Sequence, residues 1–193
     1  MNPKEMDACK EFIDKNLKSG KIQKYRSPQA SPFCFVQKKD GGLHPFQDYQ
    51  YLNEHTIKNA YLLPLISTLI DKLKGAKYFS KMDIWWGYNN ICIKEGDKWK
   101  AAFTTPYGLY EPLAMFFGQC NSPPTFQVFM DSASGDMIAE GWLIIYMDDV
   151  LVFAKTLEEC QEWTKQVLER MQEEDLHLKL AKCTFDQMEV ENT

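Results

Sequence analysis

The chain has 193 residues, 45% of them hydrophobic and 13% aromatic, so it can bury a substantial core as one large domain or two small lobes. No apolar run is long enough to span a membrane, and the N-terminus lacks the apolar segment of a signal peptide. The net charge of −5 argues against a free-standing nucleic-acid binder, and six widely spaced cysteines favour reduced thiols in an intracellular protein (cytoplasm or nucleus) over disulfides or zinc ligands.

The predicted elements interleave helices and strands. Asn2, followed by proline and by glutamate three residues later, predicts a helix that ends at Gly20. A strand over 33–37, a turn over 38–42 and a return strand to Tyr49 predict a hairpin. Further helices are predicted over 64–74, about 122–140 and 156–174, and further strands over 77–83, 99–104, 142–147, 149–154 and within 176–190. Without a strict strand–helix–strand rhythm, this order predicts an α+β fold.

Two adjacent carboxylates, Asp148 and Asp149, interrupt the apolar run from Trp142 to Phe153. Acidic side chains are rarely buried without compensation, and no basic residue lies close to this pair along the chain. The pair therefore predicts a counter-charge from outside the chain, most simply a divalent cation. The structural alternative is a tight hairpin turn, in which Asp is also common.

A third aspartate, Asp83, ends the predicted strand 77–83. If this strand pairs with 142–147, Asp83 and Asp148 lie at the ends of neighbouring strands. Two carboxylates so placed would bridge two metal ions, an arrangement that activates an attacking hydroxyl and stabilises a leaving pyrophosphate. The structural alternative is that Asp83 merely ends a strand.

Nine segments in order carry a family resemblance. They cover 31–42, 47–53, 56–66, 75–83, 87–90, 101–104, 117–118, 121–127 and the Tyr-Met-Asp-Asp sequence at 146–149. Together they resemble the fingers and palm of a reverse transcriptase of the gypsy-type long-terminal-repeat retrotransposon group. The resemblance implies right-hand polymerase subdomains, with an antiparallel palm sheet that carries the Tyr-Met-Asp-Asp hairpin and packs on helices. Fingers would comprise about 1–75 and 99–120, and palm about 76–98 and 121–190, with thumb, connection and RNase H absent.

The resemblance also implies a function. The chain would be an RNA-directed DNA polymerase, a nucleotidyltransferase that adds deoxynucleotides to a primer 3′-hydroxyl with two Mg²⁺ or Mn²⁺ ions. Its partners would be an RNA or DNA template with primer, and dNTPs, with no membrane partner. The sequence leaves the oligomeric state open.

Residue roles follow from the resemblance, position by position. Asp83 and Asp148 would bind both ions, with Asp149 beside them and the backbone carbonyl of Ile84 as a further ligand. Tyr88 would exclude a ribose 2′-hydroxyl, although a purely packing role is its alternative. The remaining nucleotide-binding positions would be Lys38, Lys39, His44, Phe117 and Gly118. Primer or template contacts would come from Pro123, Gln127, Tyr146 and Met147. The general acid would be Lys179 or Lys182, between which the sequence does not choose.

Arginine is scarce: of 22 basic residues, only Arg26 and Arg170 are arginine. Four positions where the family usually has arginine hold His44, Gln50, Trp85 and Cys92. A neutral histidine cannot replace a permanently charged bidentate donor, and arginines that stabilise phosphoryl transfer elsewhere contribute on the order of 10³–10⁵ in rate.

Two alternative functions are therefore kept. One is a catalytically impaired or dead retroelement remnant with at most weak binding of nucleic acid or a protein partner. The other is an interaction module built on the acidic helix at 156–175.

Overall fold

The computed structural model describes residues 1–37 and 41–188, which form an α+β chain of two units. The first unit comprises Met1–Lys58 and Tyr88–Ser122, and the second comprises Asn59–Gly87 and the described part of Pro123–Thr193. All six cysteines are free. Within the described residues, no helix is both long and apolar enough to cross a membrane.

Six α-helices and nine strands are assigned within the described residues. The helices are α1 (Pro3–Lys18), α2 (Gln50–Glu54), α3 (Ile66–Lys72), α4 (Ser122–Ala133), α5 (Gly135–Glu140) and α6 (Leu157–Glu173). The strands are β1 (Ile22–Lys24), β2 (Ser31–Gln37), β3 (Leu43–Gln47), β4 (Tyr78–Asp83), β5 (Phe103–Thr105), β6 (Gly108–Pro112), β7 (Leu143–Tyr146), β8 (Asp149–Ala154) and β9 (Thr184–Gln187). Short 3₁₀ helices occupy Gly87–Asn90, Lys98–Ala101 and Leu180–Lys182.

The first unit packs α1 on a five-stranded sheet of order β1-β6-β5-β2-β3, in which only the β2–β5 pair is parallel. The predicted capping box is complete, because Asn2 and Glu5 each bond the backbone N–H of the other. The core is aromatic: the ring of Phe103 lies 5.8 Å from that of Phe33 and 6.0 Å from that of Tyr110. Cys9 and Ile13, four residues apart on α1, close over this cluster.

The second unit contains an entirely antiparallel four-stranded sheet of order β7-β8-β4-β9, as predicted for the palm. Helix α6 packs against it through one buried stripe, formed by Cys160, Thr164, Val167 and Met171. The start of α6 is fixed by the predicted capping box between Thr156 and Glu159. The central strands β8 and β4 pair along their length, and β4 ends at Asp83 where β8 begins at Asp149.

Several predicted elements differ from the structure. The helix over 122–140 is two helices, because Ser134 leaves helical geometry between α4 and α5. The strand over 99–104 begins only at Phe103, after a 3₁₀ helix. Strands β1 and β6 and helix α2 were missed, since three- to five-residue elements carry too few residues to show a hydrophobic period.

The units also divide at positions other than the predicted subdomain limits, at 58/59 and 87/88. Tyr61 donates its hydroxyl to Asp131 of α4 at 2.6 Å, which ties the segment after residue 58 to the second unit. The backbone N–H of Ile93 bonds the carbonyl of Leu113 at 2.9 Å, which ties the segment after residue 87 to the first. These long-range bonds have no local sequence signal.

Gly87, four residues after Asp83, allows close packing against Phe126 of α4. A β-carbon there would lie 2.8 Å from Cζ of Phe126, whose side chain is fully buried. We expect Gly87→Ala to lower the free energy of unfolding by about 1–3 kcal/mol, because the buried ring has little room to move. Gly135→Ala is the matched control, since space around that position is open, and it should be neutral or slightly stabilising. Urea denaturation compares the two, and equal midpoints would contradict the prediction.

Candidate active site

The Tyr-Met-Asp-Asp sequence forms the tip of the β7–β8 hairpin. Tyr146 pairs with Asp149, so Met147 and Asp148 are the two turn residues. Met147 has φ of +55°, in the left-handed region that favours glycine. Two-residue hairpin turns require a positive φ at their first central position, so the hairpin imposes this conformation on a methionine. Backbone strain of this kind costs on the order of 1–3 kcal/mol and persists only where surrounding contacts enforce it.

Gln127 of α4 supplies those contacts. Its side-chain oxygen accepts the backbone N–H of Met147 at 2.8 Å, and its amide nitrogen donates to the carbonyl of Ile145 at 3.2 Å and to Asp131 at 2.9 Å. The side chain is fully buried. The predicted primer or template contact is corrected accordingly, because a side chain without exposed surface cannot touch a nucleic-acid strand. Gln127 is a positioning residue for the turn.

Asp83, the last residue of β4, lies beside the tip of the β7–β8 hairpin. The pairing of this strand with 142–147, considered above as a condition, does not occur: β4 pairs with β8, and Asp83 lies directly opposite Asp149. Asp148 is joined to the end of β4 by a bond from the backbone N–H of Ile84 to its carbonyl, at 2.8 Å. The three aspartates therefore meet at one end of the sheet, as the sequence predicted, by a different strand order.

Crowding of like charge marks this cluster. Asp148 is half-buried, and its pKa is raised above the usual value, first by burial and then by the charges of Asp149 and Asp83. Asp83 accepts a hydrogen bond from the Lys182 ammonium at 3.0 Å, and the Lys81 ammonium lies 3.5 Å from Asp149. Two lysines remote from the Asp148–Asp149 pair in sequence thus supply part of the predicted counter-charge, one at Asp149 and one at the neighbouring Asp83.

The cluster suits a divalent cation by its chemistry. Carboxylate oxygens are the ligands that Mg²⁺ prefers, and a bound cation would relieve the repulsion that raises the pKa of Asp148. No three His, Cys, Asp or Glu side chains within residues 1–37 and 41–188 are grouped closely enough to hold a metal ion as they stand. The Asp83 carboxylate is paired with the Lys182 ammonium in this arrangement. Ile84 is buried, and the role of its carbonyl stays a prediction.

The two general-acid candidates are separated by the structure. Lys179 donates its backbone N–H to the carbonyl of Asp83 at 2.9 Å, and the residue is exposed. Lys182 instead directs its ammonium at the carboxylates, and hydrogen bonding to Asp83 raises its pKa. Lys182 is therefore the candidate whose proton lies at the cluster.

The predicted nucleotide-binding residues belong to the first unit. Tyr88 and Phe117 are in contact, with ring centroids 4.7 Å apart. Gly118 has φ of +96°, and its carbonyl accepts a bond from Asn53 at 2.7 Å. His44 is exposed on β3. Lys38 and Lys39 lie outside the described residues, and the roles of all these positions stay predictions.

The remaining primer or template positions lie in the second unit. Tyr146 ends β7 and Pro123 lies in the first turn of α4, both partly exposed.

Two features of the site were missed in the sequence analysis: the counter-charge from Lys81 and the positioning role of Gln127. Lys81 had a signal, because residues two apart on a strand share a face and Lys81 is two residues before Asp83.

An antiparallel sheet packed on a helix, with aspartates at the tip of its β7–β8 hairpin, is the arrangement that the resemblance implies for the palm of a polymerase. Residues 36–192 match the family model described as "Reverse transcriptase (RNA-dependent DNA polymerase)". The chain belongs to this family, and the predicted resemblance is confirmed.

Curated relatives place the chain among retrotransposon sequences. The Transposon Tf2-3 polyprotein of Schizosaccharomyces pombe is 37% identical over 188 residues, and the Tf2-7 polyprotein of the same species is 36% identical over 188 residues. Each alignment covers 97% of this chain but 14% of the polyprotein. The chain therefore spans a small part of the length of these relatives.

Solved structures show the same fold. The foamy viral protease-reverse transcriptase in complex with RNA/DNA hybrid matches with a TM-score of 0.87 at 22% identity, over 96% of this chain and 25% of the other. The form in complex with double-stranded DNA matches with a TM-score of 0.89 at 23% identity, over 98% and 33%. The predicted α+β fold of fingers and palm is thereby confirmed.

Proposed function

We propose that this chain is the core of an RNA-directed DNA polymerase, which adds deoxynucleotides to a primer 3′-hydroxyl by two-metal-ion catalysis. The observation that carries the proposal is the meeting of Asp83, Asp148 and Asp149 at one end of the palm sheet. A cluster of like charges reduces stability, so its assembly by a strained turn and a buried glutamine favours a functional reason.

Each residue has a role in this proposal. Asp83 and Asp148 hold both Mg²⁺ or Mn²⁺ ions, and Asp149 adjusts the charge around them. When bound, the ions would activate the primer hydroxyl and stabilise the charge of the leaving pyrophosphate. Gln127 holds Asp148 in place through the turn. Lys182 carries a proton close to the carboxylates, which suits protonation of pyrophosphate.

The proposed partners are a template with primer, and dNTPs. Support comes from the similar structures, which are complexes with an RNA/DNA hybrid and with double-stranded DNA. Tyr88 has the role that the resemblance implies, the selection of deoxynucleotides, and its ring contacts that of Phe117.

Primer extension on poly(rA)·oligo(dT) tests the proposal. The purified chain should extend the primer at low salt with Mg²⁺ or Mn²⁺, and chelation of the metal should stop extension, because the carboxylates alone cannot activate the hydroxyl. A His44→Arg variant is run in parallel, since extension by this variant only would identify arginine loss as the limiting defect. Absence of extension from both chains with either metal would contradict the proposal.

A further inference from the structure

The three carboxylates are not equally compensated. Lys182 donates to Asp83 at 3.0 Å, and Lys81 lies 3.5 Å from Asp149. Asp148 makes no ion pair with any described residue, although it is partly buried beside the other two carboxylates. Two positive charges thus face three negative charges, and the uncompensated charge is centred at Asp148.

The two lysines are held differently. Lys81 is on β4 itself, two residues before Asp83, and its side chain is 23% exposed. Lys182 ends a 3₁₀ helix that is tied to β4 by the bond from Lys179 to the carbonyl of Asp83, and its side chain is 58% exposed. Lys182 can therefore leave Asp83 and be hydrated at once, whereas Lys81 loses more contact with the protein when it moves.

We propose that Lys81 and Lys182 are resident counter-charges of the metal-free cluster, and that a divalent cation enters at Asp148 by displacing Lys182 from Asp83. The inference rests on the proposed function. A divalent ion attracts Asp83 with twice the charge of an ammonium, so displacement is favoured once the ion is bound by Asp148. Lys81 stays on Asp149 throughout.

Displacement of Lys182 by the ion would couple metal binding to the availability of a proton donor. The ammonium of Lys182 is bound to Asp83 without metal and becomes free to move when the ion arrives. A proton donor is therefore released in step with the ions that activate the primer. Because coupling between two competing groups is reciprocal, removal of Lys182 must strengthen binding of the ion.

Titration with Mn²⁺ alone, followed by calorimetry or by the electron paramagnetic resonance of the free ion, tests the proposal. Lys182→Met should bind Mn²⁺ about 3–10-fold more tightly than the wild type, the size expected for removal of one nearby, partly exposed charge. Lys179→Met is the matched control, because it removes a lysine from the same loop whose ammonium does not contact the cluster, and its affinity should stay within about twofold. Lys182→Arg, which keeps the charge, should bind no more tightly than the wild type.

Thermal unfolding gives a second measurement. Without metal, Lys182→Met should unfold at a lower temperature than Lys179→Met, and Mn²⁺ should reduce this difference. Equal Mn²⁺ affinity in the wild type and Lys182→Met, or an equal gain in Lys179→Met, would overturn the competition and leave the proposed function intact. Failure of all four chains to bind Mn²⁺ would overturn both proposals.

Discussion

Gln127→Leu is expected to lower the free energy of unfolding by roughly 2–4 kcal/mol. The substitution keeps the volume but leaves the backbone N–H of Met147 and the carbonyl of Ile145 without their partner. Each buried unsatisfied group costs on the order of 1–3 kcal/mol. The loss is larger than for a typical core amide because the strained turn also loses the contact that enforces it.

Urea denaturation of Gln127→Leu and of Gln172→Leu measures the effect. Gln172 is an exposed glutamine near the end of α6, so the same change there should stay within about 0.5 kcal/mol. Affinity for Mn²⁺ should also fall in Gln127→Leu, since Asp148 is the second residue of the turn. Similar stability in the two variants would show that Gln127 does not hold the hairpin.

Asp148→Asn is expected to reduce primer extension by at least about 10³-fold, because ligation of the ions is worth several kcal/mol of barrier. The same change is expected to stabilise the metal-free protein at neutral pH, by about 0.2–1 kcal/mol, the range for charge pairs between strands. Loss of activity together with a gain in stability separates a catalytic group from a structural one.

The pH dependence of Asp148→Asn has a definite sign. The pKa of Asp148 is raised in the folded protein, so the folded state holds this proton more tightly than the unfolded state. Stability of the wild type therefore falls as pH rises from the unfolded pKa to the folded pKa, and the penalty remains at higher pH. Thermal unfolding in the presence of a chelator should show a difference in unfolding temperature between the variant and the wild type. This difference should be smallest at acid pH and constant at neutral pH.

Asp71→Asn is the control for both measurements, since Asp71 is an exposed aspartate of the second unit paired only with Lys74. It should change neither extension nor the pH profile. Two results for Asp148→Asn would contradict the assignment of Asp148 as a catalytic group: a difference in unfolding temperature that is constant across the whole pH range, or retained primer extension.

Local signals predicted much of this fold. The capping boxes at Asn2 and Thr156 place the starts of α1 and α6, and alternation of apolar residues places β8. The cluster of three aspartates was predicted as well, because all three lie in motifs of the family. The strand order of the sheet that carries them was not predicted, since pairing of β4 with β8 rather than β7 depends on contacts across the whole sheet.

The pairing of Lys182 with Asp83 was beyond local reasoning. Lys182 is 99 residues from Asp83, so nothing in either neighbourhood indicates that they meet. Gln127 shares α4 with the buried Ser122 and the exposed Ser132, and nothing local in the sequence indicates which polar side chains of this helix are buried. The motifs thus gathered the three aspartates, whereas the contacts that Gln127 makes depend on the fold, and the roles assigned from the resemblance stay predictions.

The position of β4 in the sheet has a consequence for how the protein folds during synthesis. Its two partners come late in the chain: β8 begins at Asp149, 66 residues after β4 ends at Asp83, and β9 is the last of the described strands. Pairings this distant in sequence form slowly, because a long loop must close before any contact is gained. On the ribosome, Asp83 is therefore made before either of its sheet partners, and it acquires its compensating cation only after residue 182 has been translated.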